Sequence, residues 1–215
     1  MNTDVDRTIG EDTPDLKDYI SVVLLAVTAV LTAWSGFESS KWGGEMSIAF
    51  SNASSARVEA SRHETRAESA RNFDLQIFGS YIEAVSTGDA EREEFVQTRF
   101  TDHFAVAFEA WIATEPLENP EAPRSPFVME EYVPPGTAEA AEADARADQR
   151  YQDALDYNQR GDNYTLLTVL FALVLFFSAI SQKLRSARLS YGVLALAAVF
   201  LVIGVVLLIS YPKII

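Results

Sequence analysis

Five hydroxyls and a carboxylate recur along the first apolar stretch of the chain: Ser21, Thr28, Thr32, Ser35 and Ser39, with Glu38 beside the last. Their spacings of seven, four, three and four residues place the hydroxyls on one face of a helix. A hydroxyl in hydrocarbon is costly without a partner, so such a face belongs either against another helix or along a water-filled path. In the first case Ser and Thr bond back to the preceding turn at a helix interface. In the second, several copies of the helix surround an axis, the stripe lines a pore, and Glu38 sits at its mouth, where a ring of carboxylates would favour cations. Lys41 lies three residues after Glu38, close to Trp34 and Trp42, so an ion pair at the membrane surface competes with that role. No Asp, Glu, Lys, Arg or His stands at mid-depth in the apolar stretches, which argues against a coupled transporter or a proton relay built on intramembrane carboxylates.

Catalytic constellations are sparse. The two histidines, His63 and His103, are forty residues apart and have Glu64 and Asp102 as neighbours, without HExxH or another tight ligand spacing. Charge-paired surface histidines are the expectation, with no metal and no cofactor. The chain has no cysteine, and it has none of the glycine-rich or GxSxG loops that nucleotide binding and serine hydrolysis need. A non-enzymatic protein is expected.

The elements that would position these residues are three apolar stretches, 19–37, 164–180 and 189–210, each long enough to cross a core of about 30 Å. The fold class expected is all-α: an integral membrane protein with three transmembrane helices, 16–40, 162–182 and 189–211. An extracytoplasmic helical domain, 41–161, would be built on long helices continuing from spans one and two. Residues 1–15 read as a disordered acidic cytoplasmic tail. The link 183–188 carries Lys183, Arg185 and Arg188 and no acid, so it is placed in the cytoplasm. That puts the N-terminus inside, and the large loop and residues 212–215 outside. A multi-pass protein of the cell (inner) membrane is the expected location.

Within 41–161, acids outnumber bases 23 to 11, leaving a net charge of −12 out of −14 for the whole chain. Such a surface excludes nucleic acid as a partner. Gly43 and Gly44 each cost about 1 kcal/mol in a helix interior and mark an expected hinge beyond Trp42. Further on, Ala49, Ala53, Ala56, Ala60, Ala67 and Ala70 form a small-residue seam. It could serve an oligomer axis or an intrachain hairpin with the Ala-rich stretch 138–154. A new element starts at Gly88, and Phe95, Phe100, Phe104, Phe108 and Trp111 give it an aromatic stripe, predicting one amphipathic helix up to Ala113. Six prolines make 115–136 a loop, and Phe127, Met129 and Tyr132 within it predict a strap over the domain.

The run from Ala33 to Glu45, AWSGFESSKWGGE, continues to Ala56-Arg57-Val58-Glu59-Ala60 and is accompanied by Glu118-Asn119-Pro120-Glu121-Ala122-Pro123 and Gly161-Asp162. Through these the chain resembles a widespread uncharacterised group of small prokaryotic three-span membrane proteins with an AWSxFxSxKWxGE motif at the end of the first span. The resemblance implies three spans and an external helical domain, and carries no activity over. The expectation is therefore a homo-oligomer in a lipid bilayer, conducting cations along the first span. Its rival is a non-conducting scaffold or accessory subunit that binds another envelope protein through the external domain.

Overall fold

The structure is a computed structural model and describes residues 16–214, so the N-terminal tail lies outside the described residues. Among the described residues there are helices and no strands: α1 (Leu16–Thr87), α2 (Ala90–Gln97), α3 (Asp102–Ile112), a single 3-10 turn at Pro126–Val128, α4 (Thr137–Lys183) and α5 (Ala187–Ser210). Three of these, α1, α4 and α5, contain stretches long and apolar enough to cross a membrane. Gly43 and Gly44 both lie inside continuous helix, as does Gly161. The chain divides into two compact units, Met1–Ile48 with Asp153–Ile215, and Ala49–Gln152.

The first unit contains the N-terminal part of α1, the C-terminal part of α4, and α5. Ser39 Oγ donates to Gly161 O at 3.1 Å, and Ser21 Oγ lies 3.5 Å from Ser181 Oγ, so α1 and α4 run antiparallel. Gly161 faces α1 directly: a Cβ there would meet Ser39 O and Trp42 Cβ at 3.6 Å, ordinary van der Waals contact. Trp42, Tyr164, Leu167, Phe171 and Leu208 form the buried apolar cluster. On α5, Gly204 lets the Phe171 ring lie directly on its backbone: a Cβ would fall 2.5 Å from the ring edge. Outward positions such as Val23, Val30, Val169 and Val202 are exposed and apolar, as lipid contact requires.

The second unit pairs the remainder of α1 with the start of α4. Ala49, Ala53 and Ala60 on α1 and Ala140, Ala143 and Ala147 on α4 are buried. Arg57 binds Asp144 and, at 2.5 Å, Asp148, while Arg146 reaches Glu59 at 3.0 Å. The small-residue seam is thus covered from within the chain. The predicted single helix from Gly88 to Ala113 is instead two. Arg99 N–H and Phe100 N–H turn back to Val96 O and Gln97 O, and Thr101 is extended ahead of α3. The break swings Phe100 onto Tyr81, Phe104 and Phe108, and leaves Phe95 exposed, outside the stripe assigned to it. Phe78 collects edge-on contacts from Phe104, Phe108, Trp111 and Phe127 at 5.6–6.5 Å. Such pairs add about 0.5–1.5 kcal/mol each beyond burial. The proline-rich loop packs Phe127, Met129 and Tyr132 on this cluster and is pinned by Trp111 Nε1, which donates to Pro123 O at 2.6 Å.

Candidate functional site

The first helix turns its hydroxyl face into the first unit. Ser21, Thr28, Ser35 and Glu38 are buried, in line with Leu24 and Trp42, while Thr32 and Ser39 are half-buried at the flank. Lys41 is exposed. The expected pair between Lys41 and Glu38 does not form: Glu38 is 0 % exposed and its Oε2 accepts the Ile214 N–H at 3.1 Å. Glu38 has no ion pair among the described residues, because the cations nearest in sequence point away while its own position follows the buried heptad of Ser35 and Trp42.

The hydroxyls divide into satisfied and unsatisfied. Ser21 Oγ donates to Lys17 O and Thr32 Oγ1 to Thr28 O, both at 2.8 Å. Ser39 Oγ lies 2.9 Å from Thr165 Oγ1, and Ser190 Oγ donates to Ser181 O at 2.7 Å. Thr28 Oγ1, Ser35 Oγ, Ser178 Oγ, Glu38 Oε1 and Trp42 Nε1 are buried without a hydrogen-bond partner. Each such group costs about 1–3 kcal/mol if left unmade. A buried carboxylate, which can accept at both oxygens, here uses one. Around it, Tyr164 donates to Pro212 O at 3.0 Å and stacks edge-on with Tyr211, so residues 211–214 close over Glu38. The Arg160 guanidinium lies 4.7 Å over the Trp42 ring.

The second unit holds a polar cluster that the sequence reading missed. Asp74 is fully buried on α1. Its Oδ1 accepts from Thr101 Oγ1 at 2.7 Å, and its Oδ2 pairs with His103 Nε2 at 2.7 Å and accepts from Tyr132 Oη at 2.9 Å. Thr101, which precedes α3, makes no side-chain cap because its hydroxyl is diverted to Asp74. Burial, then the bond to and charge of Asp74, pushes the Tyr132 hydroxyl above its ordinary value, with Arg71 opposing. His103 thus pairs with Asp74 rather than its neighbour Asp102, and His63 sits 4.0 Å from Glu59 rather than on Glu64. A lone acid among the apolar positions Ile77, Phe78 and Tyr81 was the available signal. The cluster ties three segments together. Among the described residues no three His, Asp or Glu side chains gather as a metal would require. No protein family, no curated protein and no solved structure matches the chain.

Proposed function

We propose that this is a non-enzymatic multi-pass membrane protein acting as an accessory or scaffold subunit, with its second unit outside the cytoplasm recognising another envelope protein. The supporting observation is that the polar face of α1 is occupied from within the same chain, by Gly161 and Ser181 of α4 and by the Ile214 N–H on Glu38. The face a multi-copy pore would need is therefore already used, and the surfaces left open are apolar for lipid. Recognition falls to the second unit, where the pinned loop displays Leu117, 88 % exposed, and Val128. The basic link at Lys183, Arg185 and Arg188 favours the cytoplasm and puts the second unit on the opposite side.

The test is a photoreactive side chain at Leu117 or Val128 in native membranes. A discrete adduct with a second envelope protein, lost on Leu117→Lys with Val128→Lys, is expected; adducts with lipid or this chain alone would refute recognition. The chain lacks cysteine, so a single cysteine at Leu117 or Arg185 reports sidedness directly with an impermeant maleimide.

A second reading, cation conduction, draws on the unpartnered polar atoms along the α1 seam. It predicts cation flux in reconstituted vesicles that falls in Glu38→Gln. Native mass spectrometry gives the subunit count, and a monomer would leave the interior of one chain as the sole route.

A further inference from the structure

Three helices of the second unit, α1, α2 and α3, line an open cavity of about 450 Å³. Tyr81 on α1 and Phe108 on α3 form its base; each is 7 % exposed, and their rings pack edge to face at 4.9 Å. Glu93 and Gln97 come to it from α2, and Glu109 and Ile112 from α3. Spacings of four and three residues keep each pair on one helical face. A single helix across this region would have strung the four along one rod. The break between α2 and α3 instead gathers them around the two rings.

The half-buried Glu93 carboxylate is held by neutral donors. Gln97 Nε2 donates to its Oε1 at 3.3 Å, and the Tyr81 hydroxyl bonds to it as well. Burial, then the charge and hydrogen bond of Glu93, push that hydroxyl above its ordinary value, so it stays a donor. Neither Glu93 nor Glu109 has a cationic partner among the described residues. Two cations close by in sequence are engaged elsewhere: Arg92 pairs with Glu83 at 2.8 Å, and the Arg99 guanidinium lies 4.7 Å over the Phe95 ring. The cavity therefore combines an aromatic base, two uncompensated acids from different helices, and room for a side chain.

We propose that this cavity seats an arginine side chain of the partner envelope protein, with the guanidinium against Tyr81 and Phe108 and its N–H groups donating to Glu93 and Glu109. Arginine rather than lysine follows from the lining: a planar guanidinium stacks on aromatic rings and carries five donors, enough to serve two acids at once. An ammonium is a compact, strongly hydrated point charge and makes poorer use of a buried aromatic base. The net charge of −12 over residues 41–161 draws a basic segment toward this surface. The inference rests on the recognition reading and gives the partner a chemistry. Leu117 lies four residues beyond Ala113, which also lines the cavity, so the exposed leucine and the arginine seat belong to neighbouring parts of one chain segment.

The test titrates the full chain in detergent with N-acetyl-arginine amide and with the citrulline amide, its neutral isostere, following the Ile112 methyl by NMR. Saturable binding of the arginine amide, at least about tenfold tighter than citrulline, is expected. Glu93→Gln with Glu109→Gln should weaken it by about tenfold, and Gln at 93 still accepts from Tyr81, so the fold is kept. Ala113→Phe retains both acids but fills the cavity and should abolish binding. Glu91→Gln with Glu94→Gln removes the same charge from exposed positions outside the cavity and should change nothing. Equal binding of the two amides, or equal loss in the two acid pairs, would overturn the seat. A photoreactive side chain at Leu117 in native membranes then tests the occupant. Its adduct with an envelope protein should fall about tenfold in Glu93→Gln with Glu109→Gln. An undiminished adduct removes the arginine seat and leaves recognition standing. Arginine amide binding with no adduct in the parent refutes recognition, and with it the protein occupant.

Discussion

Removing the Asp74 carboxylate should weaken the second unit more than any surface change in it. The side chain is 0 % exposed and accepts from Thr101, His103 and Tyr132 at 2.7, 2.7 and 2.9 Å. Hydrogen bonds to a charged group contribute about 1.5–3 kcal/mol each. His103 and Tyr132 are only partly buried and recover bonds to water in the variant, so the three do not sum. Asp74→Ala is therefore expected to cost about 3–5 kcal/mol, the range for breaking a buried pair by deleting one partner. Asp74→Asn keeps the shape and one acceptor oxygen and should cost about half as much. Against a total stability of about 5–15 kcal/mol, the alanine variant would be near the edge of folding. Urea unfolding in detergent, followed by Trp111 in a Trp34→Phe, Trp42→Phe background, reads the change as a shifted midpoint. Tyr132→Phe should cost about 1 kcal/mol alone and much less once Asp74 is alanine. A loss below about 1 kcal/mol for Asp74→Ala, or strict additivity with Tyr132→Phe, would refute the idea that the carboxylate ties the strap and α3 to α1.

Other consequences can be checked with the same protein. Gly204→Ala should cost about 1–3 kcal/mol, because its Cβ would stand 2.5 Å from Phe171, and thermal melting should recover when Phe171→Leu is added. Gly136→Ala should destabilise the second unit by more than about 1 kcal/mol, since φ is +103° and the new Cβ would meet His63 O at 2.6 Å; a neutral melting temperature would refute this. The Tyr132 hydroxyl is raised above its ordinary value of about 10 mainly by burial. Its contribution to stability is fully present below about pH 10 and is lost as pH rises through the folded value, because the unfolded chain releases the proton first. Urea midpoints above pH 10 should fall more steeply in the parent than in Tyr132→Phe, and identical slopes would contradict the assignment.

The three apolar helices were legible because hydrophobic runs of this length have few alternatives, and the ends at Lys183 and Ser210 fall within a residue or two of those read from the sequence. The hydroxyl face of α1 was legible as a face, but periodicity does not say what packs on it. Its partners, Gly161 and Ser181, lie more than a hundred residues away and are not recoverable from local spacing. The break at 98–101 was hidden because the aromatic spacing continues across it; what ends the helix is the turn that brings Phe100 inward and the tertiary pull of Asp74 on Thr101. Asp74 itself looked like one more acid among many. Its meaning depended on His103 and Tyr132 arriving from α3 and the strap.

The pairing of Ser39 with Gly161 spans 122 residues of chain. At a synthesis rate of about 5–20 residues per second, α1 enters the bilayer roughly ten seconds before the carbonyl that will accept from Ser39 is made. For that interval Ser35, Glu38 and their neighbours face either lipid or an insertion factor, and lipid offers them nothing to bond. The first helix is thus made well before the segment that covers its polar face.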